Sequence, residues 1–584
     1  MTGVQQYGTG AVLTLAAVLL AALATVVVGS FGVRFARTTS DFLVASRRVG
    51  PRMNAAAISG EYLSAASFLG VAGLIAKHGA DALWYPVGFT AGYLFLLMFV
   101  SAPLRRSGAY TVPDFAEFRL ASERLRLLTM VFVVLIVGLY MVPQFQGAGL
   151  TLRTILGVPE WLGVAVVGGI VIANVVAGGM RSITFVQAFQ YWLKLTAIAI
   201  PAIAIAVFFL TEQRPLSEPL PPVVGAETTV NVETDVVVQT ETTVTLTMDG
   251  AETTLQPGMH SLPAGTQIVL PAGAAVPVIA GAPVNATDWL QPGSGLGTGS
   301  GEAGGIALYE VYSLILATFL GTLGLPHVLV RFYTNRTGSL ARWTSLIVIG
   351  LLAVFYLFPV LLGVLSRVYV PQLLLTGTSD AAVLLLPSSV FAGLGGQMLA
   401  ALVAAGAIAA FMSTSSGLLV CAAGVLSTDV LRGRVRDFRV SALLAGVTVM
   451  VLALFAARLD LSQSVGLVFA VAASTFAPLL VLGIWWRGLT VAGAACGLLA
   501  GGLSSLTAVL VTVLGLGPAT GWAAALFTHP AAVTVPLAFT TMIAVSFATR
   551  ASVRPDVART FARMHVPERF GMVRDRAVER WGGG

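Results

Sequence analysis

Gly60-Glu61-Tyr62-Leu63-Ser64-Ala65-Ala66-Ser67-Phe68-Leu69-Gly70 lies inside an apolar run long enough to cross a membrane. It carries a carboxylate, a phenol, two hydroxyls and two glycines. In hydrocarbon every unpaired polar group is costly, so a helix this polar at mid-depth faces protein or water rather than lipid. Glycine beside polar residues is also where a transmembrane helix unwinds and offers its carbonyls to an ion. The stretch therefore reads as the first broken helix of a secondary transporter.

The composition agrees. Hydrophobic residues make up 57% of the 584 and charged ones 10%, with a mean hydropathy of +0.88. Soluble domains carry about 25% charge, so this is an all-α polytopic membrane protein. Cys421 and Cys496 both lie in apolar runs and read as small buried hydrophobes, not as a disulfide or metal site. The net charge of +7 is no nucleic-acid footprint, because the basic residues are spread over loops between apolar runs.

A span needs roughly 20 apolar residues. Thirteen candidates stand out: about 9–29, 54–76, 82–103, 126–147, 158–177, 187–211, 307–331, 341–366, 396–426, 440–457, 463–485, 490–515 and 530–549. Residues 1–33 hold no Lys or Arg, so the first run lacks the basic start of a secretory signal and reads as a retained span. Placing the N-terminus outside puts 27 of the 33 Lys and Arg on inner regions and span flanks, which predicts N-out, C-in. Lys194 lies within a span, away from its ends.

Four regions follow. Residues 1–214 hold spans one to six, and 307–549 hold spans seven to thirteen. Residues 215–306 have nine acidic residues and no Lys or Arg, are rich in Thr, Val, Pro and Gly, and alternate with period two in Val230–Val236 and Thr243–Thr247. With the hairpin signal Asp249-Gly250, this predicts a small β-rich extracytoplasmic insertion, read either as an acidic patch that concentrates cations near the entrance or, the favoured reading, as a solvated insertion with no part in transport. Its last part, 291–305, reads as a Gly/Ser linker. Residues 550–584 form an Arg-rich cytoplasmic tail, read either as an amphipathic helix on anionic lipid or as loosely ordered.

No catalytic constellation is present. The histidines do not sit in HExxH-type spacing and there is no GxxxxGK[ST] phosphate loop, so enzymes and ATP-driven pumps are disfavoured. Two further polar clusters lie within spans. Thr318 to Arg331 is interrupted by Gly321, Gly324 and Pro326, and it sits five spans after the first broken helix. Paired interruptions in two halves point to a transport site and to two five-helix repeats of inverted topology. The third cluster, Ser413-Thr414-Ser415-Ser416, places four hydroxyls at membrane depth. Either each hydroxyl bonds its own helix, or a pair supplies oxygen ligands to a hard cation such as sodium.

On these residues the chain resembles the solute:sodium symporters over almost its whole length, apart from 215–306, and within them the cation/acetate and monocarboxylate permeases. The stretches that carry the resemblance are Thr39–Ala45, Gly60–Gly70, Gly178–Gln187, Gly324–Phe332 and Phe469–Ser474. The resemblance implies a LeuT-type 5+5 inverted-repeat fold with an extra N-terminal span, and alternating access around a midplane site. It implies a sodium site from the carbonyls of Gly60, Leu63 and Ala410 and the hydroxyls of Ser413 and Thr414. Proline-type relatives have an aspartate where this chain has Tyr62; Glu61, one residue earlier, compensates or carries a proton, so proton coupling stays open.

A monocarboxylate needs hydrogen-bond donors and the positive end of a half-helix. Ser64, Thr318 and Thr322 are the expected donors, with Pro326 at the second break. Glu61, Tyr62, Gln144 and His327 are candidates for coupling or gating. For His327 a structural hydrogen bond within the broken helix is the favoured reading, while Gln144 and Gln146 are placed at the outer vestibule. Arg181 and Arg331 are read as loop anchors at the inner face. The expected function is sodium-coupled uptake of acetate or another short-chain monocarboxylate across the plasma membrane, by a monomer or weak oligomer, with no cofactor beyond the transported cation. Proline, pantothenate, a sugar and a proton-coupled carboxylate are the same-fold alternatives, and a transporter-like membrane sensor is the alternative from another class.

Overall fold

The computed structural model of the chain describes every residue except 1–5, 35–38, 48, 214–221, 233–234, 294–301, 377–378, 432–433, 457–458, 460, 519–520 and 572–584. The expected Gly/Ser linker, the residues around 214 where the insertion was expected to start, and the end of the tail therefore lie largely outside the described residues. Eleven helical stretches among the described residues are long and apolar enough to cross a membrane. The principal helices are α1 (Gln6–Val33), α2 (Pro51–Tyr62), α3 (Val71–His78), α4 (Trp84–Phe95), α5 (Glu123–Leu156), α6 (Glu160–Glu212), α7 (Glu302–Gly324), α8 (Pro326–Tyr333), α9 (Gly338–Tyr369), α10 (Gly393–Asp429), α11 (Val435–Phe455), α12 (Leu461–Trp485), α13 (Val491–Val513), α14 (Ala531–Ala548) and α15 (Val557–His565).

Two of the eleven stretches account for the difference from thirteen. Residues Ala66–Arg106 join two expected spans through the tight turn Gly79–Leu83. The 53-residue α6 joins two more and is interrupted at Gly179, whose φ of 54° and ψ of −158° no L-residue tolerates comfortably. A Cβ there would also press on the Phe42 ring. A straight helix of that length would run about 80 Å, far more than the roughly 30 Å of hydrocarbon.

Depth in the bundle follows side-chain chemistry. Over an apolar 18-residue window of each, α10 and α12, rich in Ala, Gly, Ser and Thr, are 78% and 89% buried and form the centre, whereas that of α1 is 22% buried and lies at the edge. α1 is tied to α6 by Ser182, whose hydroxyl donates to the Gly29 carbonyl at 2.7 Å. Cys421 is buried in α10, but Cys496 is exposed on α13, which corrects its reading as a buried residue.

Among the described residues between α6 and α7, seven short strands form two sheets, β1 (Thr228–Asn231), β2 (Val236–Thr240), β3 (Val244–Met248), β4 (Ala251–Leu255), β5 (Gly258–Leu262), β6 (Gln267–Leu270) and β7 (Val278–Ile279). Their orders are β1-β6-β3-β4 and β5-β2-β7, with all pairs antiparallel. The alternate Val and Leu side chains share one small core, which Leu374 and Leu375 of the bundle complete. The unit is docked, not merely solvated. Arg367 at the end of α9 donates to Pro283 O (2.7 Å) and Val284 O (2.9 Å), and its guanidinium lies 5.1 Å from the Trp289 ring centroid. The Trp289 indole in turn donates to Ile75 O of α3 at 2.8 Å.

The described part of the tail packs on protein instead of offering its apolar face to lipid. Phe561 and Met564 of α15 are buried, and Arg119 stacks 4.9 Å above the Phe561 ring.

Candidate functional site

α2 begins at Pro51, whose fixed φ and missing N–H suit the first helical position, and ends at Leu63 with ψ of 84°. The helix resumes at the π-turn Ala66–Gly70, which leads into α3. No proline or glycine stands at 63 or 64 to force the break. The freed backbone groups are instead taken up by side chains from three other helices, as burial without water requires. Ser413 Oγ lies 2.7 Å from Gly60 O, Thr414 Oγ1 donates to Glu61 O at 2.7 Å, and Gln144 Oε1 accepts from Ala65 N at 3.2 Å. The remaining partner is Lys194 of α6. Its ammonium donates to Gly60 O, to Leu63 O at 2.6 Å and to Ser413 Oγ at 2.9 Å.

Three of the five atoms expected to hold sodium thus converge on one point, and that point is the Lys194 nitrogen. Ala410 O reaches the cluster only through Ser413 Oγ, at 3.0 Å, and the Thr414 hydroxyl serves the neighbouring carbonyl of Glu61. The approach is close because residue 60 is glycine: a Cβ there would overlap the Gln187 carbonyl oxygen of α6.

The second break comes at Leu325, between α7 and α8, where Pro326 starts the short helix. The two breaks are joined by an ion pair. Arg331 Nε donates to Glu61 Oε2 at 2.5 Å, with side chains 1% and 2% exposed. The same guanidinium donates to Thr184 Oγ1 at 2.8 Å and to Gln187 Oε1. Arg331 is therefore a central residue and not a loop anchor. Arg181 pairs with Asp41 of the short helix Thr39–Val44, through Oδ1 at 2.8 Å, so it anchors a helix and not a loop.

Thr318 and Thr322 lie on the wall that α7 turns toward α4. Their hydroxyls bond the carbonyls of Leu314 and Thr318, each at 2.8 Å, and their side chains fill the space that Gly88 and Gly92 leave. Thr322 also meets Tyr62 Oη at 2.8 Å. With their protons engaged in their own helix, both act first as packing residues. Ser64 is buried at the break and hydrogen-bonded with Tyr140.

Polar atoms with no partner among the described residues cluster beside this wall. They are Tyr93 Oη of α4, Gln144 Nε2 of α5 and both ring nitrogens of His327 in α8. The structural hydrogen bond expected of His327 is absent there. Its ring instead stands edge-on to Tyr140, 5.4 Å between centroids. Tyr62 contacts Tyr93 at 4.7 Å, and Tyr140 contacts Phe469 at 6.0 Å. Aromatic faces and a few unpaired donors are what a small-solute site is made of. Gln144 belongs to this inner cluster and not to a vestibule, whereas Gln146 bonds Ala453 O and Ala456 O of α11's end.

Sequence reasoning overlooked Lys194, Tyr93, Gln187 and the pairing role of Arg331. The signal for Lys194 was present, since it is a single ammonium in an apolar run, and such residues are functional by default.

The sequence pattern of the sodium:solute symporter family matches residues 42–255 and 298–501. The chain is 29% identical over 534 residues to an uncharacterized symporter, YwcA, of Bacillus subtilis, covering 88% of this chain and 90% of that protein. It is 29% identical over 525 residues to a monocarboxylic acid transporter of Corynebacterium glutamicum, covering 86% and 85%. Among solved structures, a Na+-coupled sialic acid symporter in a substrate-bound outward-open state superposes with a TM-score of 0.62 at 15% identity, over 93% of this chain and 98% of that one.

Proposed function

Because the chain belongs to the sodium:solute symporter family, a family of multi-pass membrane transporters and not of enzymes, we propose that it moves a short-chain monocarboxylate, acetate foremost, across the plasma membrane together with a cation. The observation that carries this reading is the set of unpaired polar groups beside the paired helix breaks. Gln144 Nε2, Tyr93 Oη and a His327 ring N–H are donors to a carboxylate, and the aromatic faces of Tyr62, Tyr140 and Phe469 enclose a short alkyl chain. A buried donor left unpaired costs about 1–3 kcal/mol, which a carboxylate oxygen removes on binding. Ser64 stands next to this set, and Pro326 starts α8 at the break, with no side chain capping its N-terminus. The relative named a monocarboxylic acid transporter supports the same solute class.

The test is uptake of labelled acetate into liposomes holding the purified full-length chain, with excess unlabelled propionate, pyruvate, proline, pantothenate or glucose as competitor. Propionate and pyruvate are expected to compete, and Gln144→Ala to raise KM at least tenfold. Competition by proline, pantothenate or glucose but by neither carboxylate would overturn the solute assignment.

A further inference from the structure

The oxygen cage at the first break is already filled. Gly60 O, Leu63 O and Ser413 Oγ all point at the Lys194 nitrogen, the latter two at 2.6 and 2.9 Å. An ammonium carries one positive charge and three donors, so it satisfies in one stroke the three acceptors that a sodium ion would use. A sodium ion and this ammonium cannot share the space. Two unit charges 4 Å apart would repel by about 4 kcal/mol even at an effective dielectric near 20.

We propose that Lys194 supplies the cation of this site itself, and that the protein couples its carboxylate to a proton carried on the Lys194 amine instead of to sodium bound there. The proposal rests on the carboxylate-symport reading above. Lys194 is fully buried. Its charged neighbour is Glu61 of α2, itself paired to Arg331 of α8. His327 faces Arg331 from α8, Tyr140 faces Glu61 from α5, and Cys421 faces the same pair from α10. Tyr191 lies one turn before Lys194 on α6, and Tyr356 of α9 is turned to Ser67 Oγ, 2.8 Å away. α1 carries no titratable side chain between Gly10 and Gly32, and the helix Ala382–Val390 carries none. On α11 the charges Arg436, Asp437 and Arg439 are confined to the first two turns.

The charge balance then provides the coupling. With Lys194 as ammonium, Glu61, Arg331 and Lys194 sum to +1, and a bound monocarboxylate brings the centre to zero. With Lys194 as free amine the three sum to zero, and the anion would be buried without a counter-charge. Such burial is heavily penalised. Anion and proton therefore enter together. On the opposite side the ammonium gives its proton to water, becomes the amine, and the carboxylate leaves with it. One proton and one carboxylate cross per cycle, and no other species is consumed. The free amine retains one lone pair and two N–H donors, so the cage loses a donor and its hold on the two carbonyls weakens in that state.

Two measurements test this. In the first, the thermal-unfolding midpoint of the detergent-purified full-length chain is compared in NaCl and in choline chloride at equal ionic strength. The wild type is expected to be indifferent. Lys194→Ala opens the cage, and its midpoint is expected to rise in sodium, as for any ligand that binds the folded state. Lys194→Gln, which keeps two donors, serves if Lys194→Ala does not fold. A sodium-specific rise in the wild type overturns the cation assignment whatever the solute. In the second, liposomes holding the wild type are given an inward proton gradient without sodium, or a sodium gradient at equal pH, with labelled acetate or pyruvate and protein-free liposomes subtracted. Accumulation should follow the proton gradient, about tenfold per pH unit for one proton, and be lost in the Lys194 variants. Accumulation driven by sodium alone overturns the proposal. Transport of neither carboxylate under either gradient overturns the monocarboxylate reading, and the thermal measurement then decides the cation assignment separately.

Discussion

Glu61 and Arg331 form an ion pair in which both side chains are essentially sealed from solvent. Pairs of this kind add little net stability, but removing one partner leaves the other charge uncompensated, at about 3–5 kcal/mol. Glu61→Gln is thus expected to lower stability by that order, while Glu61→Gln/Arg331→Met costs well below the sum of the two single changes. A double-mutant cycle on the unfolding of the purified protein checks this, and additivity within about 0.5 kcal/mol would show that the pair is not coupled. How much of the site could be read beforehand also turns on such residues. Gly60, Leu63 and Ser413 were named through the family resemblance, in two stretches whose polarity at membrane depth already required a partner. The identity of the partner was not legible, because Lys194 and Arg331 are distant in sequence from the first break and Arg331 read as a loop anchor at the inner face. Thr318 and Thr322 looked like substrate donors because sequence shows a hydroxyl but not that its proton is already given to the residue four before it.

The two broken helices were unequal in legibility. Gly324-Leu325-Pro326 announces its own interruption, since proline removes a backbone donor and disfavours helix at the residue before it. The first break has no such residue and is held open by hydrogen bonds from α5, α6 and α10, which only the assembled bundle supplies. Alternation and turn signals predicted strands in the insertion, and strands are present. Its attachment was invisible, because it depends on Arg367 and Trp289, which lie 78 residues apart in the chain. Arg367 also donates to Ala76 O at 3.1 Å, so one guanidinium ties α9, α3 and the insertion together. Arg367→Ala is expected to release the insertion and leave the bundle folded. Residues 215–306 hold no Lys or Arg, so trypsin cannot report this. Proteinase K can, and cleavage within 222–293 should become at least tenfold faster while the membrane-embedded fragments persist. Equal cleavage rates in wild type and variant would mean that the Arg367 clamp does not hold the insertion.

For the whole molecule the decisive quantity is the charge that crosses the membrane in one cycle. The fixed charges at the centre, Glu61, Arg331 and Lys194, belong to the protein and are not delivered to either side. Only the proton on Lys194 and the monocarboxylate are exchanged with solvent, and their charges cancel. Net movement of one elementary charge is worth about 2.3 kcal/mol per 100 mV, close to fiftyfold in an accumulation ratio. A cycle with one proton and one carboxylate should show none of that dependence. Liposomes clamped at 0 and at −100 mV with a potassium gradient and valinomycin, at equal pH on both sides, should reach the same internal concentration of labelled pyruvate. An inside-negative potential that raises the plateau by more than a few-fold would require a second cation to travel with the carboxylate. Lys194 alone would then not account for the coupling.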